Sequence, residues 1–211
     1  MDAVEICRRI HEALDALPRW HEPSQNLPLK GIYFFYEDGE MCSHTGKHRI
    51  VRVGIHGERS SLRKRLMQHY RLNREGSVFR KHLGSALLKK AGVVDNEIRE
   101  WNKKRRSLRW AEFKDTEREV SKLLRSKFFF RVVSVEDPNE RKRLEVKLIA
   151  TLASCPSCKP SDSWLGQFAW NEKVKRSGLW NSNFVYSPTE ISREDVATFE
   201  QLACETSISH I

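Results

Sequence analysis

Gly31-Ile32-Tyr33-Phe34-Phe35-Tyr36, followed after a polar stretch by Ile50-Val51-Arg52-Val53-Gly54-Ile55, decides the fold. The first run is apolar and aromatic and ends at Glu37-Asp38-Gly39-Glu40; the second is rich in β-branched residues. Such side chains fit a pleated, half-buried surface, so the pair predicts a β-hairpin. Ser60 and Ser61 then offer N-caps for a helix whose Leu62, Leu66 and Tyr70 share one stripe, which leaves Arg65 and His69 four apart on the neighbouring stripe. Phe128 to Val135 is a dense aromatic and β-branched run and predicts a further strand, central or third in the sheet.

Outward from these segments the pattern is helical. Val4, Ile6, Ile10, Leu14 and Leu17 recur at helical spacing over 3–16, and Pro18, Pro23 and Pro28 then break the chain into a connector. Val78 to Ala91 predicts a helix closed by Gly92. Asp95 to Phe113 predicts a long polar helix carrying Lys103, Lys104, Arg105, Arg106 and Arg109 between Trp101 and Trp110. Asp115 or Thr116 would cap the next helix, to Arg125, and Asp137-Pro138 opens another that runs through Leu144, Leu148, Ile149 and Leu152 to Ser154. Pro160 to Asn183 is loop-rich but structured, and Ser192 caps a last helix to about Cys204. The expected class is α/β of the α+β kind, a small, mostly antiparallel three-stranded sheet surrounded by helices. It forms one domain: an N-terminal helix and connector (1–27), a core (28–185) with a helical insertion at about 93–126, and a C-terminal helix (186–211).

The charge balance points to a polyanion. Lys and Arg total 38 against 28 Asp and Glu, a net charge of +10 over 211 residues, and such an excess draws phosphate backbones by attraction and counterion release. Five cysteines, an odd number, argue for a reducing compartment. The start lacks a signal-peptide core and no stretch has the apolar length of a membrane span, so the expected location is cytoplasmic. Cys155-Pro156-Ser157-Cys158 has a zinc-like spacing, yet no second pair or nearby His-x3-His completes four ligands in the sequence.

Glu145 is the most telling single residue. Leu148 and Ile149, three and four positions on, place its carboxylate against an apolar face, while Arg141, Lys142, Arg143 and Lys147 surround it with positive charge. A salt bridge is the plain reading; a ligand for a hard divalent cation is the functional one. For Tyr33 the alternatives are strand packing and a hydroxyl that orients or deprotonates water. For Arg65 they are a solvated face and a guanidinium suited to the spread charge of a phosphoryl transition state. For His69 they are a satisfied histidine and a proton shuttle near neutral pH. The basic helix with its tryptophans reads either as a charged surface or as a set of phosphate contacts with flanking aromatics.

Gly31-Ile32-Tyr33, Gly54, Arg65 and His69, in this order, resemble the GIY-YIG nuclease superfamily over roughly residues 28 to 185. In that family a first tyrosine lies on the first strand and a second precedes a glycine on the next. A helical arginine is followed four residues later by a histidine or tyrosine. The second tyrosine is missing, because Arg52-Val53-Gly54 occupies its motif. Arg52 to His56, Ser60-Ser61-Leu62 and Ser77 to Gly84 are more similar to a less-studied bacterial branch than to the excision-repair branch. The resemblance implies a metal-dependent DNA endonuclease in which Tyr33, Arg65 and His69 are catalytic and His56 takes the lost tyrosine's place. Glu145 would then be the sole protein ligand of Mg²⁺ or Mn²⁺, and the products would carry 5′-phosphate and 3′-hydroxyl ends. The family's asparagine, about twelve residues after the glutamate, is Ser157 here, so Asn181 and Asn183 become its candidates. Arg63, Lys64, Arg80, His82, Lys103, Lys104, Arg105, Arg106, Arg109 and Asn181 would contact duplex or branched DNA; a homodimer is left open. Two other readings stand beside this one, a non-catalytic DNA-binding module on a decayed nuclease fold and a structured-RNA binder or nuclease.

Overall fold

A computed structural model of the protein describes residues 2–71, 73–103, 110–189 and 191–209. The hairpin forms as β1 (Gly31–Met41) and β2 (His48–Ile55), and β3 (Phe128–Ser134) pairs with the other edge of β1. All pairing is antiparallel in the order β2-β1-β3, so the aromatic run of β1 is central and β3 is an edge. Tyr33 faces Gly54 and Phe35 faces Arg52, whereas Tyr36 faces Ile50, so Val51 is an extra residue bulged out of the ladder.

Helices cover both faces. On one, α1 (Ala3–Asp15), α6 (Pro138–Ser154) and α8 (Arg193–Ile208) bury Ile10, Leu14, Leu144, Leu148, Val196 and Phe199 against Ile32, Phe34 and Val133. On the other, α2 (Leu62–Tyr70), α3 (Val78–Lys90), α4 (Asp95–Asn102), α5 (Lys114–Lys127) and the short α7 (Glu172–Ser177) gather around Tyr33, Phe35 and Phe130. The alternation of the strands sorts the side chains between these two cores. Phe35 touches the rings of Tyr70, Phe79, Phe128 and Phe130; truncating a buried phenylalanine of this kind costs about 3–5 kcal/mol.

The caps follow the sequence signals at three of these helices, and Ser77 supplies a fourth cap that the pattern did not single out. Ser61 accepts from the Lys64 amide, Ser77 from Arg80, Asp137 from Glu140, and Ser192 forms a reciprocal box with Asp195. Asp195 also accepts Lys147 Nζ at 2.5 Å and the Arg143 guanidinium, which fastens α8 to α6. No helix among the described residues is long and apolar enough to cross a membrane.

Several boundaries differ from the sequence expectation. β1 does not end before Glu37 but continues to Met41, with Gly39 at φ +90°, and the turn falls at Cys42 to Gly46. The reason is long-range: the indole N–H groups of Trp164 and Trp180 both donate to Glu37 Oε2 at 3.1 Å, and Arg49 and Ser161 bond Glu40. The polar helix does not run from Asp95 to Phe113. It stops at Asn102, Lys103 is extended, and Trp110–Phe113 is a 3₁₀ turn. α5 begins at Lys114 without a side-chain cap, so Asp115 and Thr116 lie inside its first turn. α8 passes Cys204 and ends at Ile208, with Thr206 Oγ1 accepting from the Ser134 amide.

Candidate active site

The hairpin, α2, α6 and the loop after α7 converge on one cleft of about 220 Å³. Tyr33, Arg52, Gly54, Arg65, Glu145 and Asn181 line it, with Lys142, Asn183 and Phe184. Period-2 alternation puts Arg52 and Gly54 on the side of β2 that meets Tyr33. Glycine is required at 54, because a Cβ there would lie 2.4 Å from Tyr33 Oη.

Tyr33 is buried, and its hydroxyl lies 2.9 Å from His69 Nε2. His69 Nδ1 lies 2.8 Å from Ser77 Oγ, the cap of α3. The α2 periodicity therefore does bring His69 to Tyr33, but behind it; the imidazole is packed among Tyr33, Phe35 and Phe79 and does not line the cleft. Burial, reinforced by the nearby Arg52, Arg65 and Arg80 charges, holds its pKa well below the usual histidine value. It is neutral at neutral pH.

Arg65 is half-buried at the cleft wall, where Nη1 donates to Gln68 Oε1 at 2.7 Å and to the Gly76 carbonyl at 2.9 Å. Glu145 stands opposite on α6, half-buried, with Oε2 accepting Lys142 Nζ at 3.0 Å. Lys142 also sits over the Phe184 ring. Asn181 pairs both ways with the backbone of β2: its Oδ1 accepts from the Val53 amide at 3.0 Å and its Nδ2 donates to the Val53 carbonyl at 2.8 Å. Beside it, Arg52 Nη1 donates to the Trp180 carbonyl at 2.6 Å and the guanidinium lies over Phe79. Burial pushes the Arg52 pKa down, while Tyr33 and Glu145 favour its charge.

Arg52 is thus the residue of this cleft that the sequence reading passed over. It stands on β2 diagonally across from Tyr33, at the start of the Arg52-Val53-Gly54 motif, and the strand alternation that places Tyr33 was the signal available for it. His56, expected in the place of the absent second tyrosine, is buried outside the cleft, with Nδ1 3.0 Å from the Gly57 carbonyl, and burial lowers its pKa.

Of the expected nucleic-acid contacts, Arg63 and Lys64 are exposed on α2 and Lys103 is exposed beside Glu100. Lys104, Arg105, Arg106 and Arg109 lie outside the described residues. Arg80 is not a surface cation: it is fully buried, ion-paired with Glu117 at 2.7 Å and bonded to the His69 carbonyl. His82 is buried too, which pushes its pKa down to about 4. Trp101 is not an exposed stacking platform, for it packs under Arg74 and directly against Gly84, where a Cβ would lie 2.1 Å from its ring.

A GIY-YIG domain model matches residues 5–208, and no curated protein and no solved structure matches the chain. Members of that family are endonucleases and typically use a divalent metal. The matched span takes in the first tyrosine, its facing glycine, the helical arginine and the glutamate across the cleft, and the chain belongs to the GIY-YIG nuclease superfamily.

Proposed function

We propose that the chain is a divalent-metal-dependent DNA endonuclease in which Arg52 stands in for the second tyrosine. The observation that carries the reading is the convergence of Tyr33, Arg52, Arg65 and Glu145 on one cleft from four separate elements. A non-catalytic module would have no need to keep them together.

The donor set fits Mg²⁺ or Mn²⁺. Such an ion binds through one or two carboxylates and keeps most of its waters; Glu145 offers one carboxylate at the cleft, where Lys142 takes a single oxygen. Glu145 would hold the ion, which when bound offsets charge on the scissile phosphate. Tyr33 donates its hydroxyl proton to the neutral His69 Nε2, which turns an oxygen lone pair toward the cleft to orient the attacking water. His69 is accordingly a positioning residue rather than a proton carrier. Arg52 and Arg65 flank the reacting phosphate and stabilise charge on its equatorial oxygens as the new P–O bond forms, the water's proton passes to solvent in the open cleft, and the 3′ oxygen takes a proton from solvent as its bond to phosphorus breaks. Lys142, Arg63 and Lys64 supply phosphate contacts along the approach.

The test is incubation of the protein with supercoiled plasmid, linear duplex, branched DNA and RNA in Mg²⁺. DNA is cut only with metal, and Glu145→Ala and Arg65→Ala abolish cutting while circular dichroism is unchanged. If both variants cut as fast as the parent, the site is wrong; if only RNA is cut, the substrate is wrong.

A further inference from the structure

A second cluster of chemistry-bearing side chains lies at the other end of the hairpin. Cys7 and His11 come from one face of α1, Cys42 and His44 from the β1–β2 turn, and Cys155 and Cys158 from the C-cap of α6 and the residues after it. Ligand atoms of Cys7, His44 and Cys158 lie within 4.8 Å of one another, and so do those of His11, Cys42 and Cys158. Cys155 Sγ is 3.8 Å from His44 Nε2, and Cys158 Sγ is 3.8 Å from His11 Nε2. All four cysteines are buried free thiols. The Cys155 and Cys158 pair thus lies beside cysteines and histidines more than a hundred positions away, Cys158 in both groups and Cys155 against His44.

We propose that Cys7, His44, Cys155 and Cys158 bind a structural Zn²⁺ that staples α1, the hairpin turn and the end of α6 together. Zinc takes four ligands tetrahedrally with Zn–S near 2.3 Å, so ligand atoms around it sit about 3.6–3.8 Å apart. The Cys155–His44 separation is of that size. His44 is the better nitrogen ligand because its ring bonds no nitrogen or oxygen among the described residues, Nδ1 being buried and Nε2 facing only the Cys155 sulfur, whereas His11 is already engaged. His11 Nδ1 lies 2.8 Å from the Cys7 carbonyl and its Nε2 accepts from the Ile50 amide at 3.3 Å. His11 and Cys42 then flank the Cys158 sulfur. The Ser43 hydroxyl donates to the Ser157 carbonyl, fastening the same two loops beside the cluster. Three thiolates and an imidazole are soft and borderline donors, and this set selects zinc over the hard cation expected at Glu145. Ten residues of α6 separate Glu145 from Cys155, about 15 Å along the axis, so the two sites are separate and the zinc takes no part in cleavage.

Zinc is measured on the full-length protein purified without chelator, by elemental analysis and by chromophoric titration of zinc released by a mercurial. The expected content is about one ion per chain, falling below about 0.1 in Cys155→Ser/Cys158→Ser and unchanged in Cys204→Ser, whose thiol is exposed on α8, and in Glu145→Ala. Co²⁺ bound to the unmutated chain should give the strong visible absorption of a tetrahedral thiolate site, which needs no variant to fold. Zinc below about 0.1 per chain, both as purified and after dialysis against excess Zn²⁺ and gel filtration, overturns the proposal. So does retention of zinc by the double variant, or a disulfide among the four buried cysteines in the freshly purified protein.

Discussion

Arg52→Met should separate activity from stability in opposite directions. In the folded chain Arg52 is buried, bonds a carbonyl and a ring face rather than a carboxylate, and leaves Nε without a partner among the described residues. Burial is the largest influence on its ionisation. A charge held this way is expensive, and replacing buried ionic groups with apolar ones of similar volume is often stabilising by about 1–4 kcal/mol. The lost carbonyl bond and cation–π contact offset part of that, roughly 1–2 kcal/mol. The melting temperature should therefore hold or rise by a few degrees, at about 2–4 °C per kcal/mol for a chain of this size. Catalysis moves the other way. A unit charge about 4–5 Å from developing negative charge is worth about 3–4 kcal/mol at an effective dielectric near 20, in line with the roughly 10²–10³-fold cost of removing one transition-state donor. Single-turnover cleavage at saturating DNA reads the rate and differential scanning calorimetry reads the stability. A rate within about threefold of the parent, with the fold intact, would refute the role of Arg52.

Other perturbations follow from the same geometry. Gly54→Ala drives a Cβ into Tyr33 Oη, 2.4 Å away, so the ring must leave His69; single-turnover cleavage should fall at least tenfold and urea unfolding should show about 1–3 kcal/mol of lost stability. Glu117→Gln leaves Arg74 and Arg80 without the carboxylate that pairs with both; the expected loss is about 3–5 kcal/mol by denaturant titration, and an unchanged midpoint would mean these arginines are solvated. Glu37 is held up to about 7 from 4.5 by burial. Between those values the folded state keeps a proton that the unfolded chain has lost, so this group makes stability fall by about 3 kcal/mol as pH rises through the window. Glu37→Gln should flatten that slope in melts taken from pH 4.5 to 8, and an identical slope would sink the assignment.

Local pattern made the hairpin, the caps at Ser61, Asp137 and Ser192, and the length of α6 legible, because each is set by residues within a few positions of one another. The cleft-facing position of Glu145 was legible for the same reason, since Leu148 and Ile149 fix which way its helix faces. The errors share one cause. Glu37 and Glu40 look like turn residues until Trp164, Trp180 and Ser161 arrive from far along the chain. Arg80 looks like a phosphate contact until Glu117 neutralises it. Trp101 looks like a surface aromatic until Gly84 gives it a place to lie. Arg52 was visible as a departure from a motif, but its meaning needed the register that sets it diagonally across from Tyr33. His56 sits one residue beyond β2 in the sequence, a proximity that does not carry into the cleft.

The pairing of Trp180 and Asn181 with β2 bears on the order in which the molecule is built. The three side-chain bonds that finish this wall each span 128 residues, and Asn181 acts on Val53 as a one-residue strand. Closing so long a loop is entropically late, because its ends are held together only after intervening elements have shortened the effective path. A chain emerging from the ribosome can form the hairpin and α2 long before residue 180 is made, yet until then Arg52 lacks its carbonyl anchor and the exposed edge of β2 is open to other strands. Synthesis itself thus keeps this wall of the cleft unfinished until residues 180 and 181 have been released.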